Sequence, residues 1–286
     1  MEELIGDSAV NERLPPGLYI VATPIGNLGD LSARAADTLK SADRILAEDT
    51  RVTGKLLAHI SAKTPMSRYD DHSSDRDRAS IVARLSDEAV ALVSDAGTPL
   101  ISDPGFKLVR AARDAGYAVT TIPGPCAAIA ALMVSGLPTD RFLFLGFLPA
   151  KAKARADAIA ELTTIKATLV FYEGSPRLGD TLLALYEGLG NREAVVAREL
   201  TKLHEEVVTG TLSQLATRYA EAPPKGEIVL VVGPPIAEEV VSDAVIDRLL
   251  DAAMQRLTPS RAAAEVAEQL NIPRKRAYAR ALERSK

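Results

Sequence analysis

Short apolar segments, each closed by a turn of glycine, proline and small polar residues and then followed by a helical pattern, recur along this chain. The plainest case is Ala89-Val90-Ala91-Leu92-Val93, which leads into Ser94-Asp95-Ala96-Gly97-Thr98-Pro99-Leu100-Ile101-Ser102-Asp103-Pro104-Gly105 and then into a helix over 106–115. Such alternation is the signature of βαβ units around a mainly parallel sheet. Open α/β sheets bind ligands at the carboxyl ends of their strands, so the turn 94–105 is a candidate site. Its small residues and prolines allow a rigid backbone to approach a ligand closely, and Asp95 offers a carboxylate to hydroxyl or ammonium donors. A purely structural connection accounts for the same residues, since Pro104 suits a helix start.

The alternation runs from Leu18 to Val232. Strands are expected at 18–22, 44–47, 90–93 and 118–122, with helices from Ala33, capped by Ser32, and over 78–85, 106–115 and 127–135. Gly116 and Gly136 stop the last two helices. A second set follows: strands at 142–145, 167–172, 194–197, 207–208 and 227–232, and helices over 151–162, 176–186 (with Gly188 behind it) and 212–220. From Ser242 the pattern is helical only, with Thr258-Pro259 as an N-cap and N1 pair and Pro273 opening the last helix. The expected organisation is α/β: an N-terminal domain over 1–136 with a loose leader 1–16, a C-terminal domain over 137–240, and a helical basic tail over 241–286.

Composition narrows the function. At 286 residues and 47% hydrophobic, the chain can bury a sizeable core. One cysteine excludes an intrachain disulfide framework, and the acidic start Met1-Glu2-Glu3 lacks a basic targeting region, which predicts a reducing, cytoplasmic setting. The longest apolar run, 126–134, is too short for a bilayer. His59, His72 and His204 do not fall at metal-ligand spacing, so no metal is expected. The net charge of −4 argues against a surface that grips nucleic acid everywhere. From Arg261 onward, however, seven Lys/Arg face three Glu, which allows local contact with a polyanion.

Further turns stand at strand ends. Pro123-Gly124-Pro125-Cys126 is a second turn of the kind at 94–105 and would build a cleft with it, while Pro24-Ile25-Gly26-Asn27-Leu28-Gly29-Asp30 reads as a tight turn or as a third wall. Glu48-Asp49-Thr50-Arg51 gathers charges that are costly to bury unpaired, which an ion pair or a substrate site would explain. Residues 198–206 bring together Arg198, Lys202, His204, Glu205 and Glu206, offering cations for a phosphodiester and a base for a hydroxyl proton. Tyr172-Glu173-Gly174-Ser175-Pro176-Arg177 follows another buried strand. No G-x-G-x-x-G or G-x-x-x-x-G-K-[ST] occurs, which points away from a pyrophosphate ligand.

Taken together, these strings resemble the tetrapyrrole methylase-like, or class III, S-adenosylmethionine-dependent methyltransferases. The resemblance covers residues 17–234. The Glu-Asp-Thr-Arg and Leu-Thr-Lys-Leu-His-Glu strings resemble its ribosomal-RNA-modifying branch. The resemblance implies a homodimer of two-domain α/β subunits with S-adenosylmethionine in the cleft between the domains. It implies a cleft lined by Pro24, Asp95, Gly97, Pro99, Leu100, Ile101, Cys126, Ala127, Tyr172 and Leu200, with the strand from Glu227 closing over the adenine. The implied substrate is a cytidine ribose in the decoding region of 16S rRNA, methylated on its 2'-oxygen. A rival within the same fold is C-methylation of a corrin-type small molecule, and a non-catalytic binding module is a second.

A ribose hydroxyl is a poor nucleophile until its proton begins to leave, which calls for a base or a nearby cation. Lys202, His204 and Glu205 are the first candidates. In one arrangement Lys202 and Arg51 orient the phosphodiester while Glu48 or Glu205 takes the proton. The tail around Arg274, Lys275, Arg276 and Arg280 is expected either to touch RNA backbone or to pack on the body through Ala277, Ala281 and Leu282.

Overall fold

The computed structural model describes residues 13–70, 72–222, 224–235, 242–270 and 272–285, so most of the expected leader lies outside the described residues. Two compact units result, a two-sheet body ending at Pro235 and a helical unit after it.

The first sheet is wholly parallel, built from β1 (Gly17–Val21), β2 (Arg44–Ala47), β3 (Met66–Arg68), β4 (Ala89–Val93) and β5 (Val119–Ile122) in the order β3-β2-β4-β1-β5. Each strand is followed by a helix: α1 (Ala33–Ser41), α2 (Thr50–His59), α3 (Asp75–Arg84), α4 (Phe106–Asp114) and α5 (Ala127–Val134). β4 is buried at every position, as its unbroken apolar run requires of a strand covered on both faces. Ser32 caps α1 by accepting the Ala35 N–H, and Gly116 follows α4 at φ 81°, both as the sequence suggests. Two elements escape the sequence reading. β3 is three residues long and mostly polar, and α2 begins inside the charged string: the Asp49 carboxylate accepts the Arg51 N–H and caps it.

The second sheet is mixed, in the order β6-β7-β10-β8-β9, from β6 (Phe142–Phe147), β7 (Thr168–Gly174), β8 (Glu193–Arg198), β9 (Glu206–Thr211) and β10 (Glu227–Val232). Only β6 and β7 run parallel. Loop length accounts for one of the antiparallel pairs: residues 199–205 leave no room for a crossover, so β8 and β9 must pair antiparallel. Three helices accompany this sheet: α6 (Ala152–Ala160), α7 (Leu178–Leu189) and α8 (Leu212–Tyr219). The expected stop at Gly188 is instead inside α7, where a Cβ would lie 2.5 Å from Ile159 Cγ2 of α6, and Gly190 ends the helix at φ 78°. Phe171 on β7 is fully buried in this core, and its truncation to alanine is expected to cost about 3–5 kcal/mol.

The helical unit contains α9 (Asp243–Met254), α10 (Pro259–Gln269) and α11 (Arg274–Arg284) around a small alanine-rich core that includes Ala277 and Ala281. Leu282 is exposed rather than packed. Three of the four arginines of α11 are ion-paired, Arg276 with Asp243, Arg280 with Asp247 and Arg284 with Asp251, while Arg274 donates to Ser260. The positive excess counted from Arg261 therefore omits the acidic helix that answers it. Among the described residues no helix is long and apolar enough to cross a membrane.

Candidate active site

The carboxyl ends of β4, β1 and β5 are knitted together by their turns. Thr23 and Gly97 exchange backbone hydrogen bonds of 2.8 and 3.1 Å, and the Thr98 hydroxyl donates to the Pro125 carbonyl at 2.9 Å. The turn after β4 holds Gly97, Leu100, Ser102 and Gly105 at positive φ. For Leu100 and Ser102 this conformation costs about 1–3 kcal/mol each and persists because the surroundings fix it. Leu100 turns its side chain toward Gly105 and the core.

This turn and the ends of β7, β8 and β10 enclose a cavity of about 330 Å³. Gly97, Thr98, Ile101, Ser102 and Asp103 form one side, with Ile25 and Ala127 beside them. Phe147, Tyr172, Glu173, Leu200, Glu227 and Val229 form the other. Of the residues expected to line the cleft, Gly97, Ile101, Ala127, Tyr172, Leu200 and Glu227 face this cavity. Pro24 and Asp95 instead line a neighbouring cavity of about 170 Å³, with Thr23, Leu28, Val52, Lys55 and Ser94. Pro99, Leu100 and Cys126 line neither of the two.

Asp103, not singled out by the sequence, is the carboxyl of the turn that faces the larger cavity. Burial pushes its pKa up to about 6, opposed by a hydrogen bond from Ser94 and reinforced by the nearby Glu48 and Asp95. Across from it, burial pushes the Tyr172 phenol well above its usual value, with Cys126 and Asp103 adding to the rise and the Ala128 N–H opposing it. The Tyr172 ring packs edge-on to Phe144 and Phe147, with centroids at 4.9 and 5.7 Å. Its neighbour Glu173 is buried but fully engaged: it accepts from Arg177 Nε at 2.8 Å and from the Thr181 hydroxyl at 2.6 Å. The Tyr172–Arg177 string is thus in large part an internal ion pair.

None of the five residues expected to do chemistry lies in the wall of the larger cavity. Glu48 approaches Asp103 closely enough to raise its pKa. Arg51 is 88% exposed and chelates Asp49, whose carboxyl its hydrogen bond holds down at about 2. Asp49 in turn donates its backbone N–H to Asp95 at 3.0 Å. Lys202 Nζ sits between Glu199 (2.9 Å) and Glu227 (2.8 Å), and its stem rests on the turn at Gly26. His204 and Glu205 are exposed, and Glu205 accepts the Thr201 N–H at 2.6 Å. Burial is the signal the sequence lacks: Asp103 is half-buried and faces a cavity that Phe147, Tyr172 and Glu227 of the second sheet also line. Among the described residues no group of His, Cys, Asp and Glu could hold a metal ion.

Residues 17–216 match the family model of the tetrapyrrole (corrin/porphyrin) methylases, and residues 240–285 match that of the RsmI C-terminal HTH domain. The chain is 57% identical over 272 residues to a ribosomal RNA small subunit methyltransferase I of Erythrobacter litoralis, covering 95% of this chain and 96% of that one. To the protein of the same name in Xylella fastidiosa it is 50% identical over 268 residues, covering 92% and 98%. A uroporphyrin-III C-methyltransferase from Thermus thermophilus, solved with S-adenosyl homocysteine, superposes with a TM-score of 0.54 at 19% identity over 76% of this chain and 97% of that one. With the two-sheet architecture and the cavity at its strand ends, these matches establish that the chain belongs to the tetrapyrrole methylase family, in its ribosomal RNA small subunit methyltransferase I branch.

Proposed function

We propose that the protein methylates the 2'-oxygen of a cytidine ribose in the decoding region of 16S rRNA, using S-adenosylmethionine. The observation that carries this reading is a pair of cavities served by one loop, residues 94–103, in a chain of this family. The larger cavity suits the methyl donor by its chemistry. Ile25, Leu200 and Val229 offer an apolar bed for an adenine, Asp103 offers a carboxyl to a cation, and Gly97 presents bare backbone at φ 84°. The smaller cavity combines apolar Leu28 and Val52 with Lys55 and Asp95, a set that suits a nucleoside joined to a phosphate.

When bound, S-adenosylmethionine supplies a methyl group already activated on a sulfonium. The chain's own part is to hold the ribose oxygen in line with that carbon, which contributes about 7–11 kcal/mol in the best cases. Arg51, exposed at the start of α2, and Lys55 on the same helix meet the phosphodiester. Lys202, spent on Glu199 and Glu227, serves chiefly to position Glu227 at the rim. Glu48 acts on the larger cavity through its charge on Asp103, His204 and Glu205 stay exposed outside both cavities, and Pro99, Leu100 and Cys126 serve as framework residues.

The protein works as a homodimer in this reading. Helix α5 is apolar throughout yet exposes Ile129, Met133 and Val134, close in sequence to exposed Phe142 and Leu143, and a second copy would cover that face. The helical unit contacts RNA backbone through exposed Arg261 and Lys275, which carry no ion pair among the described residues, rather than through the paired arginines of α11.

The test is transfer of labelled methyl from S-adenosylmethionine to small ribosomal subunits lacking the modification, followed by nucleoside mass analysis. One new 2'-O-methylcytidine is the expected product. Label on a base, or transfer only to a tetrapyrrole, would overturn the reading.

A further inference from the structure

Arg155 and Arg192 are buried, and neither has a counter-charge among the described residues. For Arg192 the fold supplies an answer: its Nε donates to the Leu189 carbonyl at 3.3 Å, at the carboxyl end of α7, where a helix favours a cation. Arg155 on α6 is 9% exposed and has no such answer. Its Nε is sealed from solvent without a hydrogen-bond partner, and among the described residues no carboxylate or carbonyl meets its guanidinium. A buried guanidinium without acceptors is costly. It also stands in the amino-terminal half of α6, the end at which the helix dipole opposes a cation. Asp157, the acid nearest in sequence, is exposed and forms no ion pair with it.

The start of the same helix repeats the pattern. Lys151 is its N-cap residue, exposed and without an ion pair among the described residues. It lies four positions before Arg155, hence on the same face, where like charges repel. No side chain caps α6, so the N–H groups of its first turn have no side-chain acceptor. Helical side chains lean back over the preceding turn, which carries the Arg155 guanidinium toward that end. The helix also starts beside the site. Phe147, the last residue of β6, lines the larger cavity, and the chain from there to Ala152 reaches at most about 18 Å. Leu148, on the way, accepts from Arg177 Nη1 at 3.3 Å.

We propose that the start of α6 binds one phosphate of the RNA substrate, with Arg155 and Lys151 flanking it and the free N–H groups of the first turn beneath it. The inference rests on the RNA-methylation reading above, and this phosphate is distinct from the one met by Arg51 and Lys55. A phosphodiester gives the guanidinium its missing acceptors, stands between the two like charges and suits the positive end of the helix. Backbone contacts of this kind carry no sequence information and fix register instead. Here the contact holds the RNA strand at a set distance from the methyl donor. Lys153, two positions beyond Lys151 and so about 200° around the helix, stands on the other side and takes no part.

The experiment uses the full-length protein and small ribosomal subunits lacking the modification, with affinity measured directly across a salt series. Arg155→Met keeps an unbranched stem and removes the charge. It is expected to weaken subunit binding about tenfold and to lower the slope of log affinity against log salt by about one. Its melting temperature should not fall, since an uncompensated buried charge is gone, and calorimetry should find S-adenosylmethionine affinity unchanged. Lys151→Ala, at an exposed position, should weaken the same binding and lower the slope, and Lys153→Ala should leave the slope as it is. Both weakened variants should lose the same factor on an unrelated structured RNA; a loss confined to the natural substrate would mean a base contact and overturn the phosphate. Should Arg155→Met fold poorly, Lys151→Ala decides by the same slope. Wild-type affinity and slope in Lys151→Ala, with Arg155→Met either equally silent or merely less stable, would assign Arg155 to the core alone and leave the methylation standing. A wild-type enzyme that transfers methyl to neither subunits nor free rRNA would overturn the reading beneath the proposal instead.

Discussion

Gly26 and Lys202 share one space: a Cβ on Gly26 would fall 2.4 Å from Lys202 Cγ and 3.0 Å from Thr201 Oγ1. The turn after β1 thus sits on the stem of a lysine whose head grips Glu227 at the rim of the larger cavity. Gly26→Ala should push the lysine off Glu227 while leaving the two cores intact. The expected outcome is a loss of S-adenosylmethionine affinity of roughly tenfold, or about 1.4 kcal/mol, with little change in melting temperature. Calorimetric titration beside a thermal melt checks it, and unchanged affinity would show that the clamp does not shape the cavity.

Arg177 is the counter-charge of a carboxylate whose side chain is 1% exposed. Arg177→Leu leaves Glu173 buried and uncompensated, and removing one partner of such a pair typically costs about 3–5 kcal/mol. The double variant with Glu173→Gln should recover much of that loss. Denaturant midpoints of the three proteins decide the matter, since a mild single variant would mean that Glu173 can reach water.

Asp49 caps α2 and chelates Arg51, and its carboxyl is held at about 2 by that hydrogen bond. A carboxyl depressed in the folded state contributes stability that is present above its unfolded pKa and is lost as pH falls through the folded one. The first turn of α2 should therefore keep its amide protection down to about pH 2 in wild type. In Asp49→Ala the same amides should exchange faster already at neutral pH. Hydrogen exchange resolved to residues 50–54 measures both.

Asp247 accepts from Arg280 and Arg284, and its carboxyl is lowered chiefly by the hydrogen bond from Arg280. Asp247→Asn should accelerate amide exchange across α9 and α11 and leave exchange in the two sheets untouched. High salt should shrink the difference between wild type and variant, as screening of an exposed network demands. A variant with unaltered exchange would reduce these pairs to surface decoration.

Local pattern carried much of this fold. β4 announced itself by five apolar residues before a glycine–proline turn, and the turns after β1, β4 and β5 do meet, because parallel neighbours bring their carboxyl ends to one edge. What local pattern could not carry were relations across the chain. Lys202 looked like a free cation until Glu227, 25 positions away, was found against it. Asp103 looked like one more polar residue in a turn, since Phe147, Tyr172 and Glu227, which share its cavity, arrive from strands formed much later. α2 was hidden because Asp49 and Arg51, which start the helix, read as a charged loop.

The pairs between α9 and α11 hold one further consequence. All three join residues 33 positions apart, and both members advance along the chain together from 243 and 276 to 251 and 284. The first and third helices of the unit therefore run in the same direction, so the chain between them has to make a full return trip. Successive pairs fall one helical turn apart, like the teeth of a ratchet. A slip of one turn would leave an unmatched charge at each end, and a one-residue deletion within α11 would rotate the teeth beyond it by about 100° out of mesh. Changes in the length of the connection between α10 and α11 leave the teeth facing one another, so this unit should tolerate insertions there that it cannot tolerate inside either toothed helix.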